Sequence, residues 1–175
     1  SSLGDWLGLL ATTAMAQQLS GGDYATANFA IAGVFIARLL PAVFLGPLAG
    51  VIADKLDRRK LMVSCDIVRA GLYISIPIFH NYFWLYTATI LVECVTLFWS
   101  PAKEASVPNL VPREKLESAN QVSLLAAYGT APIAALLFTF LSLFTSAFVA
   151  LIPNFNATAV DIALSVTALS FAFAA

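Results

Sequence analysis

Charge is what this chain has least of. Of its 175 residues only 9 are Lys or Arg and 10 are Asp or Glu, 11% in all, against about 25% in an ordinary soluble domain. A soluble core cannot absorb a chain that is 60% hydrophobic without leaving large apolar patches, which soluble proteins avoid. The net charge of −1 carries no basic footprint, so a nucleic-acid partner is not expected. The chain has one His, and its two Cys, Cys65 and Cys94, fall inside apolar runs. They read as buried small hydrophobes rather than a disulfide or a metal pair. There is no G-x-x-x-x-G-K-[ST] loop for a nucleoside triphosphate, no H-E-x-x-H and no G-x-S-x-G, so neither ATP hydrolysis nor another enzyme activity is expected. No signal peptide is visible.

What is present is a succession of long apolar runs. A membrane-spanning helix needs about 20 mostly apolar residues. Six runs approach that length, at 1–19, 28–53, 61–79, 83–100, 119–142 and 157–175. The expected fold class is therefore all-α, a polytopic six-helix transmembrane bundle occupying residues 1–175. The second span ends at the charged elbow, the third at "HNY" and the fourth at Pro101. The stretch from Ala119 to Ile152 is too long for one span, so a loop is expected near 143–156, where Pro153 and "NFN" interrupt the run. The apolar pattern is already running at Leu3 and still running at Phe173, so both ends are expected to be cut from a longer chain.

The few charges are not scattered. Lys55, Arg58, Arg59 and Lys60 share the loop between spans two and three, with Lys103, Arg113 and Lys115 between spans four and five; together these are seven of the nine basic residues. The loops on the other side carry none. The excess of cations on one side places the segments 54–60 and 101–118 in the cytoplasm and the chain in a cell membrane, with the bilayer as its first partner. Aromatic residues frame the same boundaries: Tyr82, Phe83, Trp84 and Tyr86 at the outer end of span four and Trp99 at its inner end.

The elbow itself, "GVIADKLDRRK", resembles the G-x-x-x-D-[RK]-x-G-R-[RK] signature of the major facilitator superfamily, which lies in the same loop. Gly50, Asp54, Lys55, Arg58 and Arg59 match it, and Asp57 stands where the signature has Gly. The longer string "ARLLPAVFLGPLAGVIADKLDRRKLMVSCDIVRA", and "SPAKEASVPNLVPREKLESAN" after it, are similar to the branch containing the enterobactin exporter and macrolide-efflux proteins. The resemblance covers nearly the whole chain but only the first six of that family's twelve helices. It implies a two-bundle transporter that works by alternating access. The absent C-terminal six-helix bundle would be the partner, a small molecule (drug, siderophore or similar) the substrate, and the proton gradient the driving force in place of any bound cofactor. The bacterial inner membrane would be its location. It also implies that Asp54 and Arg58 hold a conformational latch against the opposite bundle. An Asp at a helix N-terminus is worth about 0.3–1 kcal/mol, enough to bias two states of similar energy. Gly50 is expected to let the second helix approach a neighbour closely.

An ionisable side chain at the bilayer midplane costs at least about 2.5–3.5 kcal/mol and calls for a function or a partner. Arg38 and Glu93 each lie about ten residues into their spans, which at 1.5 Å per residue is near the midplane. They could pair if their helices face each other; the readings are a structural ion pair, a proton-coupling site built on Glu93, or an amphipathic position facing a wet cavity. Asp5 falls in the inner half of span one; the resemblance implies that the first and fourth helices line the central cavity, which makes Asp5 a candidate with Glu93 for the substrate and proton pathway, the other reading being a polar contact near the inner mouth. Asp66 and Arg69, spaced i, i+3, share one face of span three and are expected to extend the elbow's charge network. Asp161 reads as a first-turn acid favoured by the helix dipole. Gln17, Gln18, Asn120, Gln121 and Tyr128 line a substrate path or hydrogen-bond between helices. Gly129 and Pro132 suggest a kink or close packing within span five. "NAT" at Asn156 fits a glycosylation sequon by pattern. The rival readings are a non-transporting membrane scaffold, and an importer or a carrier of lipid-like substrates with the same fold.

Overall fold

In a computed structural model the chain forms six helices among its described residues, which are 2–53, 55–110, 112, 115–151 and 158–175. They are α1 (Ser2–Leu19), α2 (Tyr24–Ala53), α3 (Arg58–Phe79), α4 (Tyr82–Leu110), α5 (Leu116–Leu151) and α6 (Ala159–Ala174). Four of them, α2 to α5, are long and apolar enough to cross a membrane. The 16-residue α6 is apolar but shorter, and in α1 the side chains of Asp5, Gln17 and Gln18 dilute the apolar run.

The boundaries follow local chemistry. Asp57 caps α3 by accepting a hydrogen bond from the Lys60 backbone N–H at 3.1 Å, with extended backbone at φ −64°. The signature's usual Gly is thus replaced by a residue that starts the helix. His80 ends α3 in the left-handed region at φ 45°, its N–H donating to the Ile76 carbonyl. Thr158 and Asp161 form a reciprocal capping box at the start of α6, which is what the first-turn acid does. The α1–α2 turn uses Gly21 and Gly22, both at positive φ, and Asp23 then caps α2 through the Thr26 N–H at 2.9 Å.

Two boundaries differ from the sequence reading. α4 does not stop at Pro101 but continues to Leu110, because a proline in a helix forfeits one backbone hydrogen bond without forcing an end. α5 does not break at 143; it runs 36 residues to Leu151, longer than a bilayer requires. The remainder of the expected loop, including Pro153 and the sequon at Asn156, lies outside the described residues.

The packing order is set by small and fully buried side chains. α1 contributes Leu7, Ala11, Met15 and Ala16, each 0% exposed, spaced along one face. It packs on α5, α6 and α2; α4 lies between α2 and α3, and α6 between α1 and α3. Close approach is licensed by glycines that the sequence did not single out. A Cβ on Gly8 would meet the Tyr73 hydroxyl at 2.5 Å, and one on Gly33 would meet the Tyr86 ring at 3.0 Å. By contrast, a Cβ on Gly50 or Gly129 would meet nothing within 4 Å among the described residues. The expected close packing at those two positions is corrected: they face open space in this bundle.

Candidate functional site

Four helices, α1 to α4, bring charges together in the interior. Arg38 of α2 and Glu93 of α4 form an ion pair at 2.7 Å, both less than one-fifth exposed. On α3, Arg69 is 0% exposed. Its Nη2 donates to Asp66 Oδ1 one turn earlier, and its Nη1 donates to Asp5 Oδ1 of α1 at 3.3 Å. The same guanidinium lies 4.8 Å from the Trp99 ring of α4 and 4.3 Å from the Phe171 ring of α6. Trp99 also donates its indole N–H to the second Asp66 oxygen at 3.3 Å. One buried cation therefore ties α1, α3, α4 and α6, which explains how the fold tolerates it: an interior charge survives only when paired and hydrogen-bonded.

Beside this cluster lies a cavity of about 920 Å³ walled by α1, α2, α4 and α5. Asp5, Trp6, Arg38, Trp99, Lys103 and Tyr128 are among its lining residues. Trp6 is fixed there by its indole N–H, which donates to the Ala127 carbonyl of α5 at 2.7 Å. Lys103 sits 5.3 Å from the Trp99 ring. The wall is thus amphipathic, with aromatic faces and charges of both signs. Ligand pockets share that character, a concave apolar surface with a few placed polar groups.

The residues singled out in the sequence divide as follows. Asp5, Arg38 and Tyr128 line the cavity, and Glu93 stands behind Arg38 as its partner. Gln17 does not reach it: it is exposed at the far end of α1, where its backbone carbonyl accepts from Ser20. Gln18, beside it, meets Thr158 at the start of α6. Asp66 and Arg69 do pair, but they do not extend the elbow network; they reach across to Asp5 and Trp99 instead. Of the elbow, Lys55, Arg59 and Lys60 are exposed. Arg58 spends its Nη1 on the Ala105 carbonyl of α4 at 2.6 Å, within this bundle. Asp54 lies outside the described residues. Trp6, Trp99, Lys103 and Phe171 were missed as site residues. Trp99 read as an interfacial anchor, and only the third dimension reveals that it faces Arg69.

A bundle of long apolar helices with paired charges in its interior fits a multi-pass membrane protein. The family model described as transmembrane secretion effector matches residues 1–169, and the chain belongs to that family of the major facilitator superfamily. It is 32% identical over 124 residues to the uncharacterized MFS-type transporter YfiS of Bacillus subtilis, covering 70% of this chain and 28% of that protein. It is 37% identical over 83 residues to the uncharacterized MFS-type transporter YkuC of the same organism, covering 43% and 18%. It is 34% identical over 82 residues to macrolide efflux protein A of Enterococcus faecalis, covering 44% and 25%. The matches cover between 18% and 28% of the length of these relatives. No solved structure matches it.

Proposed function

We propose that this chain is the N-terminal six-helix half of a secondary active transporter that exports a small organic molecule by alternating access, in exchange for protons. The observation that carries the reading is the 920 Å³ cavity with Asp5 and Arg38 in its wall, set between helices of a membrane bundle. A pocket of that size holds a drug-sized molecule. The ionised groups beside it are ones a bilayer would otherwise penalise. The relatives' names support transport, one of them efflux of a macrolide, and none suggests an enzyme.

The missing half of the mechanism is a second six-helix bundle. The exposed Phe35, Leu39 and Val43 of α2, and Leu125, Tyr128 and Leu136 of α5, are the surfaces available to it and to lipid. Rocking of the two bundles about the cavity would then expose it to each side in turn. The elbow with Asp54, Lys55, Arg58 and Arg59, together with the segment 101–118, faces the cytoplasm of a bacterial inner membrane in this reading, and Asp54 latches the second bundle. No bound cofactor is invoked; the proton gradient drives the cycle.

The test is made with the natural-length protein in everted inner-membrane vesicles. A radiolabelled macrolide should accumulate when the lumen is made acid and leak away on adding a protonophore. Accumulation that ignores the gradient, or none above protein-free vesicles, overturns the reading.

A further inference from the structure

We propose that Lys103 heads an anion-binding subsite at one end of the cavity, which takes the carboxylate or phosphate of an amphipathic organic molecule; the inference rests on the reading of the cavity as a substrate site. Asp5, Arg38, Lys103 and Glu104 are the charged side chains of the wall. Taken with their partners, the acids Asp5, Asp66 and Glu93 equal the cations Arg38, Arg69 and Lys103 in number but not in contact. Arg38 holds Glu93 at 2.7 Å, and Arg69 holds both Asp5 and Asp66. Among the described residues Lys103 is left with no carboxylate within ion-pair distance. Its ammonium lies instead 5.3 Å from the centre of the Trp99 ring. A ring face attracts the charge but offers the three N–H donors no lone pair. Glu104 does not fill that place. It is the next residue along α4, so it points about 100° away round the helix, and it is exposed.

The order of groups along the cavity gives the polarity of what fits it. Ser2 begins α1, Asn120 and Ser123 lie near the start of α5, and Lys103 lies in the last third of α4, which runs the other way. These residues bring hydroxyl and amide donors and one ammonium to the same end of the cavity, the cytoplasmic end in the reading above. About one turn further in stand the rings of Trp6 and Trp99. Each is fixed by its indole N–H, Trp6 on the Ala127 carbonyl at 2.7 Å and Trp99 on Asp66 at 3.3 Å, so their faces are held in place. A polar collar with one cation, set over an aromatic band, matches a molecule with an anionic head and a flat apolar body. Lys103 supplies the head with a charge-assisted hydrogen bond, and the collar supplies neutral ones. A molecule without an acidic group uses the aromatic band alone. The head has two sources with the same chemistry: a dissolved organic acid or phosphate ester, and a phospholipid of the adjoining leaflet, whose phosphate lies within reach of a lysine at the membrane interface.

The experiment measures binding to the purified natural-length protein in phosphatidylcholine nanodiscs by scintillation proximity, with empty nanodiscs subtracted. The probes are tritiated 2-naphthoate and the uncharged 2-naphthylmethanol, which share one ring system. Naphthoate should bind about tenfold more tightly than the alcohol. Lys103→Gln should bring the two Kd values together, and Lys103→Arg should keep them apart. Equal Kd values in the unmutated protein, no binding of naphthoate, or a preference that survives Lys103→Gln overturns the proposal. Should the variants fail to fold, the comparison of the two probes on the unmutated protein decides. Phosphatidylglycerol added to the nanodiscs identifies the source: a preference it abolishes assigns the subsite to a lipid headgroup, and a preference it leaves assigns it to a dissolved solute. Binding needs no gradient and macrolide transport needs no acidic head. Failure of macrolide transport with the naphthoate preference intact therefore sinks the transport reading alone, and transport without the preference sinks this inference alone.

Discussion

The hydroxyl of Tyr73 on α3 fills the space that a side chain at Gly8 of α1 would need. A Cβ at Gly8 would lie 2.5 Å from the oxygen and 2.7 Å from the ring carbon that bears it. Tyr73 cannot swing away, because it is 2% exposed and stacked on Phe171 at 5.6 Å. Gly8→Ala should therefore destabilise the bundle by about 1–3 kcal/mol, the usual cost of overpacking. Gly129→Ala, which meets nothing within 4 Å, should be neutral or gain up to about 1 kcal/mol of helix propensity. Thermal unfolding in detergent separates the two; equal melting temperatures would contradict the packing.

Arg69 supports the largest single loss. Arg69→Leu leaves Asp66 buried and deprives it of its cation. The expected cost is about 3–5 kcal/mol, as for breaking other buried pairs. Asp5→Asn removes only the weaker arm and should cost far less. The same unfolding measurement checks the ranking, and a milder effect from Arg69→Leu than from Asp5→Asn would refute it.

The Arg38–Glu93 pair should behave as a unit. Removing either charge alone leaves the other largely buried and unpaired, whereas Arg38→Gln with Glu93→Gln removes both. A double-mutant cycle should return a coupling of about 0.5–3 kcal/mol, against zero for independent sites. Transport by the double variant should persist if the pair is a structural tie between α2 and α4.

Caps predict local rather than global effects. Asp57→Ala should cost about 0.5–2 kcal/mol and Asp57→Gly only a few tenths, so the Gly of the superfamily signature is tolerated here. At the start of α2, hydrogen bonds from the Thr26 side chain and backbone hold the Asp23 carboxyl below its ordinary pKa. A lowered folded-state pKa means the cap is at full strength above the unfolded value and fades as the pH falls below about 4. Amide exchange in the first turn of α2 should accelerate over that range and not above it.

The helices were legible because apolar length is itself the signal for a span, and the elbow was legible because its charges have nowhere else to go. What the sequence withheld was azimuth. A helix such as α2, apolar nearly all round, gives no face to orient, and the shared face of Asp66 and Arg69 on α3 does not say which helix it meets, so nothing in the sequence reveals that Asp5 and Arg69 meet across 64 residues of chain. The pairing of Arg38 with Glu93 was open to inference from depth alone, since both sit near the midplane. Depth could not say that Arg69 would take Asp5 as well as Asp66. The glycines misled for the same reason: Gly50 and Gly129 stood out by motif and by position in a span, while Gly8 and Gly33 are recognised only by what packs on them.

The most direct test is to drive the cycle backwards. The natural-length protein is reconstituted in liposomes containing a pH-sensitive dye, and a macrolide gradient is imposed with no initial pH difference. The account predicts that macrolide moving one way carries protons the other way, so the dye responds in protein-containing liposomes and not in empty ones. Macrolide movement through the protein with no change in lumenal pH would contradict it.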